Sequence, residues 1–195
     1  VKATNKPVTV KTRLGWDDNT KYIVEVAERL QDIGIQGISI HGRTRKQMYK
    51  GEANWDLIRE TKNNPRLHIP VFGNGDIDCP EKALAYKNKY NVDGIMIGRA
   101  AIGNPWIFNQ IKNYFKTNEH LPEVSVKEKI DAAMFHLTES VRWKGPKLGI
   151  LEMRRHYTNY FKGLEGIKEY RLKLVTQNTE EEVLEVLNEI SQRYC

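Results

Sequence analysis

Apolar residues fall in four short runs along the first half of the chain, and each run gives way to polar ones. Pro7–Val10 leads into Lys11 and Arg13, and Gly37–Ile40 into His41, Arg43 and Arg45. Ile69–Phe72 leads into Asn74 and Asp76, and Asp93–Ile97 into Gly98 and Arg99. Short runs rich in Val and Ile, bounded by polar clusters, predict buried strands. A helical pattern follows each. Thr20 reads as an N-cap ahead of Tyr22, Ile23, Val26, Ala27 and Leu30, and Gly34 ends that helix. A second helix starts near Asn54 and stops at Asn63-Asn64-Pro65. A third opens at Pro80 and a fourth near Asn104-Pro105. Repeated strand–helix units of this size form a parallel sheet, with the chemistry at the carboxyl ends of its strands.

The alternation stops at Asn118–Val124, a polar connection that predicts a boundary between residues 1–116 and 117–195. Ser125 with Glu128 forms a capping box for a helix reaching Trp143, and Lys144-Gly-Pro146 breaks it. Three further helices are predicted, Lys147 to about Lys162, Gly166 to about Val175 and Thr179 to about Tyr194. Four strand–helix units are half of the eight that close a TIM barrel. The fold class expected is therefore α/β, the C-terminal half of a TIM (β/α)8 barrel, followed by a small all-α helical bundle. The two Gly-rich strand ends come third and fourth here. In complete barrels the phosphate loops follow strands seven and eight, so the expected piece lacks the first four units.

With 39% hydrophobic and 29% charged residues in 195, the chain belongs among globular proteins. It has no apolar stretch of membrane-spanning length and no leading signal segment. Cys79 and Cys195 lie too far apart for a metal motif, and no metal is expected. Free cysteines fit a reducing, cytoplasmic setting. The net charge of +6 is unevenly placed: nine Lys or Arg stand against three Glu between Arg142 and Lys173. That stretch is either a solvated helical face or a grip for a polyanion.

The strand ends carry the candidate chemistry. Gly98-Arg99, just before Gly103-Asn104-Pro105, suits a phosphate: N–H groups, a helix dipole and a guanidinium fork. A structural arginine paired to a barrel carboxylate is the alternative. Gly73-Asn-Gly-Asp76 combines glycines that admit close backbone approach with Asn74 and Asp76, which can orient a polar ring or sugar. It is also an ordinary turn sequence. Lys11 and Arg13 share one strand face, where an unpaired ammonium favours an anionic or electron-rich ligand. His41 can hydrogen-bond a cofactor ring, and Arg43 and Arg45 can meet nucleobase or phosphate oxygens. Cys79, at a helix start without a neighbouring His, reads as a capping-region residue, at a place where a helix N-terminus can lower a thiol pKa.

Taken together, Val8–Trp16, Ile40-His-Gly-Arg-Thr-Arg45 with Gln47 and Tyr49, Ile69–Ile77 and Gly94–Trp106 resemble the tRNA-dihydrouridine synthases, nearest their bacterial B-type branch. Met153-Arg-Arg-His-Tyr157 and Tyr160-Phe-Lys-Gly163 are similar to that family's helical domain. The resemblance implies a TIM-barrel enzyme that uses NADPH to reduce FMN, then reduces the C5–C6 double bond of uridine in tRNA. It implies cofactor contacts at Lys11, His41, Asn74, Gly75, Asp76, Gly98 and Arg99. Arg43 and Arg45 would lie toward the uracil, with Lys147, Arg154, Arg155 and Lys162 on the tRNA backbone. The family's general acid is a cysteine in an Asn-Gly-Cys-Pro loop, which this sequence lacks. No catalytic residue is therefore expected within the chain, and it reads as an inactive C-terminal part of a longer protein. Two other readings stay open, another FMN-dependent barrel of the dihydroorotate-dehydrogenase kind and a non-catalytic RNA-binding remnant.

Overall fold

A computed structural model describes all of residues 1–195. Four parallel strands form one sheet in the order β1-β2-β3-β4: β1 Val10–Arg13, β2 Ile38–His41, β3 Val71–Asn74 and β4 Gly94–Met96. The helices are α1 Ile23–Asp32, α2 Asp56–Asn63, α3 Pro80–Tyr90, α4 Ile107–Thr117, α5 Val126–Lys144, α6 Pro146–Tyr160, α7 Lys168–Thr176 and α8 Glu180–Tyr194. A 3-10 turn spans Arg99–Ala101. The fold is therefore α/β, with a four-stranded parallel sheet and eight α-helices.

The first three strands sit one to three residues later than the apolar runs suggest. Lys11 thus lies within β1, and Arg13, His41 and Asn74 are the last residues of their strands rather than loop residues after them. Thr20 does not cap α1. The turn before the helix takes its hydroxyl, which donates to Asp17 Oδ1 at 2.9 Å and accepts from the Asp17 N–H at 3.0 Å. Pro80 does open α3, where its missing N–H costs nothing. Both capping boxes form, at Ser125/Glu128 and Thr179/Glu182.

The chain divides into two compact units, Val1–Ala100 with Asn109–His120, and Ala101–Phe108 with Leu121–Cys195. In the first, alternate strand residues Ile38, Ile40 and Val71 are fully buried with Ala27, Ile58 and Ala83 of the helices. The opposite sheet face carries the in-register row Lys11, Ser39 and Phe72, with Phe72 37% exposed. In the second, α5, α6, α7 and α8 share an apolar core that includes Leu137, Met153, Tyr157, Leu174 and Leu187. Gly149 permits the close crossing of α5 and α6, because a Cβ there would meet the Ser140 carbonyl oxygen at 2.7 Å. No helix is long and apolar enough to cross a membrane.

Candidate active site

Strand register builds the site. Arg13 pairs with His41, His41 with Asn74 and Asn74 with Met96, so one row of side chains crosses the carboxyl rim of the sheet. Lys11 lies two residues before Arg13 and faces the same way. A cavity of about 760 Å³ opens over this row. Lys11, His41, Asn74, Gly75, Asp76, Gly98 and Arg99, the residues the sequence marks for a cofactor, all line it.

Asp76 and Arg43 form its framework. The Arg43 guanidinium, 2% exposed, forks onto the Asp76 carboxylate at 2.8 and 2.7 Å. It also donates to the carbonyls of Lys50 and Gly51, and its remaining N–H faces His41 Nε2 at 3.5 Å. All five of its donors are engaged inside the chain. Arg43 borders the cavity with its N–H groups all directed at partners within the chain. Asp76 accepts two further bonds, from the Ala53 N–H at 2.8 Å and from Arg99 at 2.9 Å. Burial alone would raise its carboxyl, but the bonds from Arg43 and Ala53 outweigh it and hold the group below its ordinary value. Asp76 thus ties the loop after β2 to Arg99, with both carboxylate oxygens occupied. Its φ of 56° is one that Asp tolerates.

The rest of the rim is electropositive. Lys11 has its ammonium pKa lowered by burial and by the charge of Arg13. His41 is pushed down to about 4, by burial first and then by Arg13, Lys11 and Arg43, so its ring is neutral at pH 7. Arginine only donates, so a hydrogen bond across this 3.5 Å contact requires Nε2 to accept and the ring proton to sit on Nδ1. The Asn74 amide is fixed by donating to the Met96 carbonyl at 2.8 Å.

Three glycines divide by cause. Gly73 is required by packing, since a Cβ there would fall 1.9 Å from the Trp55 ring. Gly75, at φ 130°, lets the chain pass His41 and Ala53. At Gly98 an added Cβ would meet nothing within 4 Å and φ is unstrained. Nothing in the chain's own packing demands that glycine, and the open space belongs to the cavity.

Other candidates lie elsewhere. Arg45 is exposed, points a guanidinium nitrogen at the Met48 sulfur and does not line the cavity. Lys147, Arg155 and Lys162 are exposed in the second unit. Arg154 is half-buried and donates to the Gln177 carbonyl and Asn178 Oδ1, so it fastens the end of α7 rather than presenting a free cation. The Cys79 thiol is pushed up by burial, not activated. Arg13 and Tyr49, to which the sequence assigns no ligand contact, also line the cavity. Arg13 donates to the Thr44 and Met48 carbonyls, and the Tyr49 ring has Arg99 4.7 Å from its centroid. An aromatic residue in a loop rich in Arg and Lys is the signal that marks Tyr49.

A family model described as dihydrouridine synthase matches residues 1–194. The chain is 42% identical over 171 residues to tRNA-dihydrouridine synthase B of Pseudomonas aeruginosa, covering 88% of this chain and 51% of that protein. It is 41% identical to probable tRNA-dihydrouridine synthase 1 of a Synechocystis species, covering 97% and 52%. With the probable tRNA-dihydrouridine synthase of Rickettsia prowazekii it shares 39% identity, covering 100% and 58%. The chain spans little more than half the length of these relatives. By motif, by family model and by relatives of this similarity, it belongs to the dihydrouridine synthase family, on its B-type branch.

Proposed function

We propose that this chain is the cofactor-binding half of a tRNA-dihydrouridine synthase, a flavoprotein that reduces uridine in tRNA with FMN and NADPH. The observation that carries this reading is the convergence of Lys11, His41, Asn74, Gly98 and Arg99 on one cavity at the strand ends. The sheet itself supports a half-barrel. Parallel sheets have both faces covered, yet on the face bearing Lys11, Ser39 and Phe72 the first and last are exposed and Ser39 is half-buried.

The residues fit a flavin mononucleotide. The space beside Gly98 admits a phosphate against the main chain, next to Arg99, of whose five N–H donors Asp76 takes one. Lys11 brings an ammonium to an electron-rich ring edge. Neutral His41, with its proton on Nδ1, offers a donor without adding charge. Asn74 is held rigid for a sugar or ring contact. FMN bound here would supply the hydride that adds across C5–C6. The proton for the other carbon needs an acid that these 195 residues do not provide. The thiol of the family's Asn-Gly-Cys-Pro loop fills that role, so the chain alone is expected to be inactive. Residues 117–195 act as the tRNA-binding domain, with Lys147, Arg155 and Lys162 on backbone phosphates. Such contacts give salt-sensitive affinity with little sequence readout.

The test uses the full-length protein with FMN, NADPH and unmodified tRNA. A gain of two hydrogens on a uridine, seen by mass spectrometry of the digested tRNA, is expected. Oxidation of NADPH in the presence of tRNA with no such product would refute the proposal. Titration of the 195-residue chain with FMN, followed by absorbance, separately reads how much of the binding energy lies in this half.

A further inference from the structure

We propose that the loops after β1 and β2 form a stacking platform for single-stranded RNA beside the cavity, with Trp16 as its principal ring. The kind of partner rests on the tRNA reading above; the platform rests on three separate observations.

The first is exposure. Trp16 is 60% exposed, Tyr49 57% and Met48 47%, on two adjacent loops at the carboxyl end of the sheet. Large rings held this far into water mark an interaction surface more often than a packing error.

The second is rigidity. The β1–β2 pairing continues past the strands into the loops: Leu14 N–H donates to Arg43 O, Arg45 N–H to Gly15 O at 2.9 Å and Lys46 N–H to Trp16 O at 2.8 Å. The turn carrying Trp16 is tight, since a Cβ on Gly15 would fall 1.9 Å from the Thr20 carbonyl oxygen. Asp17 clamps its far side, accepting from Thr20 Oγ1 at 2.9 Å and from Lys46 Nζ at 2.8 Å. The ring is held outward by a fixed backbone, so stacking on it costs little ordering entropy.

The third is charge. Cations flank the pair Met48-Tyr49 along Arg45-Lys46-Gln47-Met48-Tyr49-Lys50. The two acids of the neighbouring loop are already neutralised, Asp17 by Lys46 and Asp18 by Lys21 at 2.7 Å. Arg45 and Lys50 then stand against one unpaired acid, Glu52, so the balance stays positive. Aromatic faces between cations are the arrangement that binds single strands, because every base has a face to stack and every nucleotide a phosphate. In duplex RNA the base faces are already stacked on one another, which excludes it as the preferred ligand. Tyr49 itself lines the cavity, so a strand stacked on Trp16 leads toward the reacting base.

The probe is a fluorescein-labelled, uridine-rich RNA octamer, read by anisotropy on the 195-residue chain. Trp16→Ala is expected to weaken binding about 5- to 150-fold, the range for losing one stacked base, while Trp16→Phe keeps most of the affinity. Circular dichroism checks that both variants fold, as an exposed side chain allows. Arg45→Gln with Lys50→Gln should reduce the salt slope by about 1.4, with the slope of Trp16→Ala unchanged. No octamer binding by the wild-type chain, equal affinity of the Trp16→Ala variant, or equally Trp16-dependent binding of a duplex would each overturn the platform. FMN binding is read independently, on the full-length protein. Its loss alongside Trp16-dependent octamer affinity sinks the flavin reading and keeps the platform, and the reverse pattern does the opposite.

Discussion

Replacing Asp76 with Asn removes one charge and almost no volume, and this chain should notice. The Arg43 side chain is 3% exposed and its carboxylate partner 21%. Breaking such a pair on one side leaves an uncompensated guanidinium in a poorly solvated place, which costs about 3–5 kcal/mol. Two features favour the lower end. The Lys50 and Gly51 carbonyls still accept from Arg43. The αL backbone at residue 76 also suits Asn as well as Asp. Against that, the new amide accepts through one atom only and turns its NH2 toward a cation. With a urea m-value of about 2 kcal/mol/M, a loss of about 3 kcal/mol lowers the midpoint by about 1.5 M. Arg29→Ala is the control, since its pair with Glu25 is exposed and worth about 0.5 kcal/mol. The pH dependence carries a sign as well. The folded pKa of Asp76 lies below the ordinary 3.8, so its contribution is complete above that value and is lost as pH falls through the folded one. The Asn variant lacks that acid limb. A midpoint shift no larger than the Arg29→Ala control would refute the account of Asp76 as the site's framework.

Two further predictions use the same measurements. Gly73→Ala forces Trp55 aside and strains its bond from Nε1 to the Gly75 carbonyl, at a cost of about 1–3 kcal/mol. Gly98→Ala should change stability by less than about 0.5 kcal/mol yet weaken FMN binding. Equal stability losses in the two variants would remove the argument for a ligand beside Gly98. In the second unit, the His136 and His156 rings lie 4.7 Å apart and both pKa values are lowered. Burial is the main cause in each; Lys144 and Arg155 add to it at both, His136 adds to it at His156, and Glu152 opposes the shift at His156. A base depressed in the fold stabilises above its unfolded value of 6.5 and loses that contribution as pH falls below it. The thermal midpoint should therefore drop between pH 7.5 and 5, and His136→Gln should flatten the slope. An unchanged slope in that variant would remove the pair as its cause.

The four strand–helix units, the helix starts at Pro80, Ser125 and Thr179, and the rim positions of Lys11, His41, Asn74 and Arg99 can be read from the sequence because each depends on neighbours within a few residues. Apolar runs, cap residues and the period of two all act locally. Thr20 shows the limit of that logic. A threonine before an apolar stretch can cap a helix or close a turn with a nearby Asp, and the two share one pattern. Arg43 and Asp76 show a different limit. Both are visible as charges at strand ends, but 33 residues separate them, and only the β2–β3 register brings them together. Arg154 is alike: its partner Asn178 lies 24 residues on, so a basic helix face looks freer in the sequence than it is in the fold.

What the sequence withholds is therefore which charges are already spent. The rim holds Lys11, Arg13, Arg43 and Arg99, four cations that composition treats alike. Arg43 uses every donor on its own chain, and Arg13 braces two carbonyls of the loop after β2. Arg99 gives one N–H to Asp76 and lays its guanidinium by the Tyr49 ring, so it is aimed without being saturated. Lys11 has no carboxylate against it, and burial with a like-charged neighbour makes its ammonium less comfortable than in water. An incoming anion gains most at these last two, where it satisfies donors without displacing a bond. The other two set the walls. An acid in the Gly-Asn-Gly-Asp turn then serves the anion site indirectly, by orienting the arginine that meets the anion rather than by touching the ligand, which it would repel.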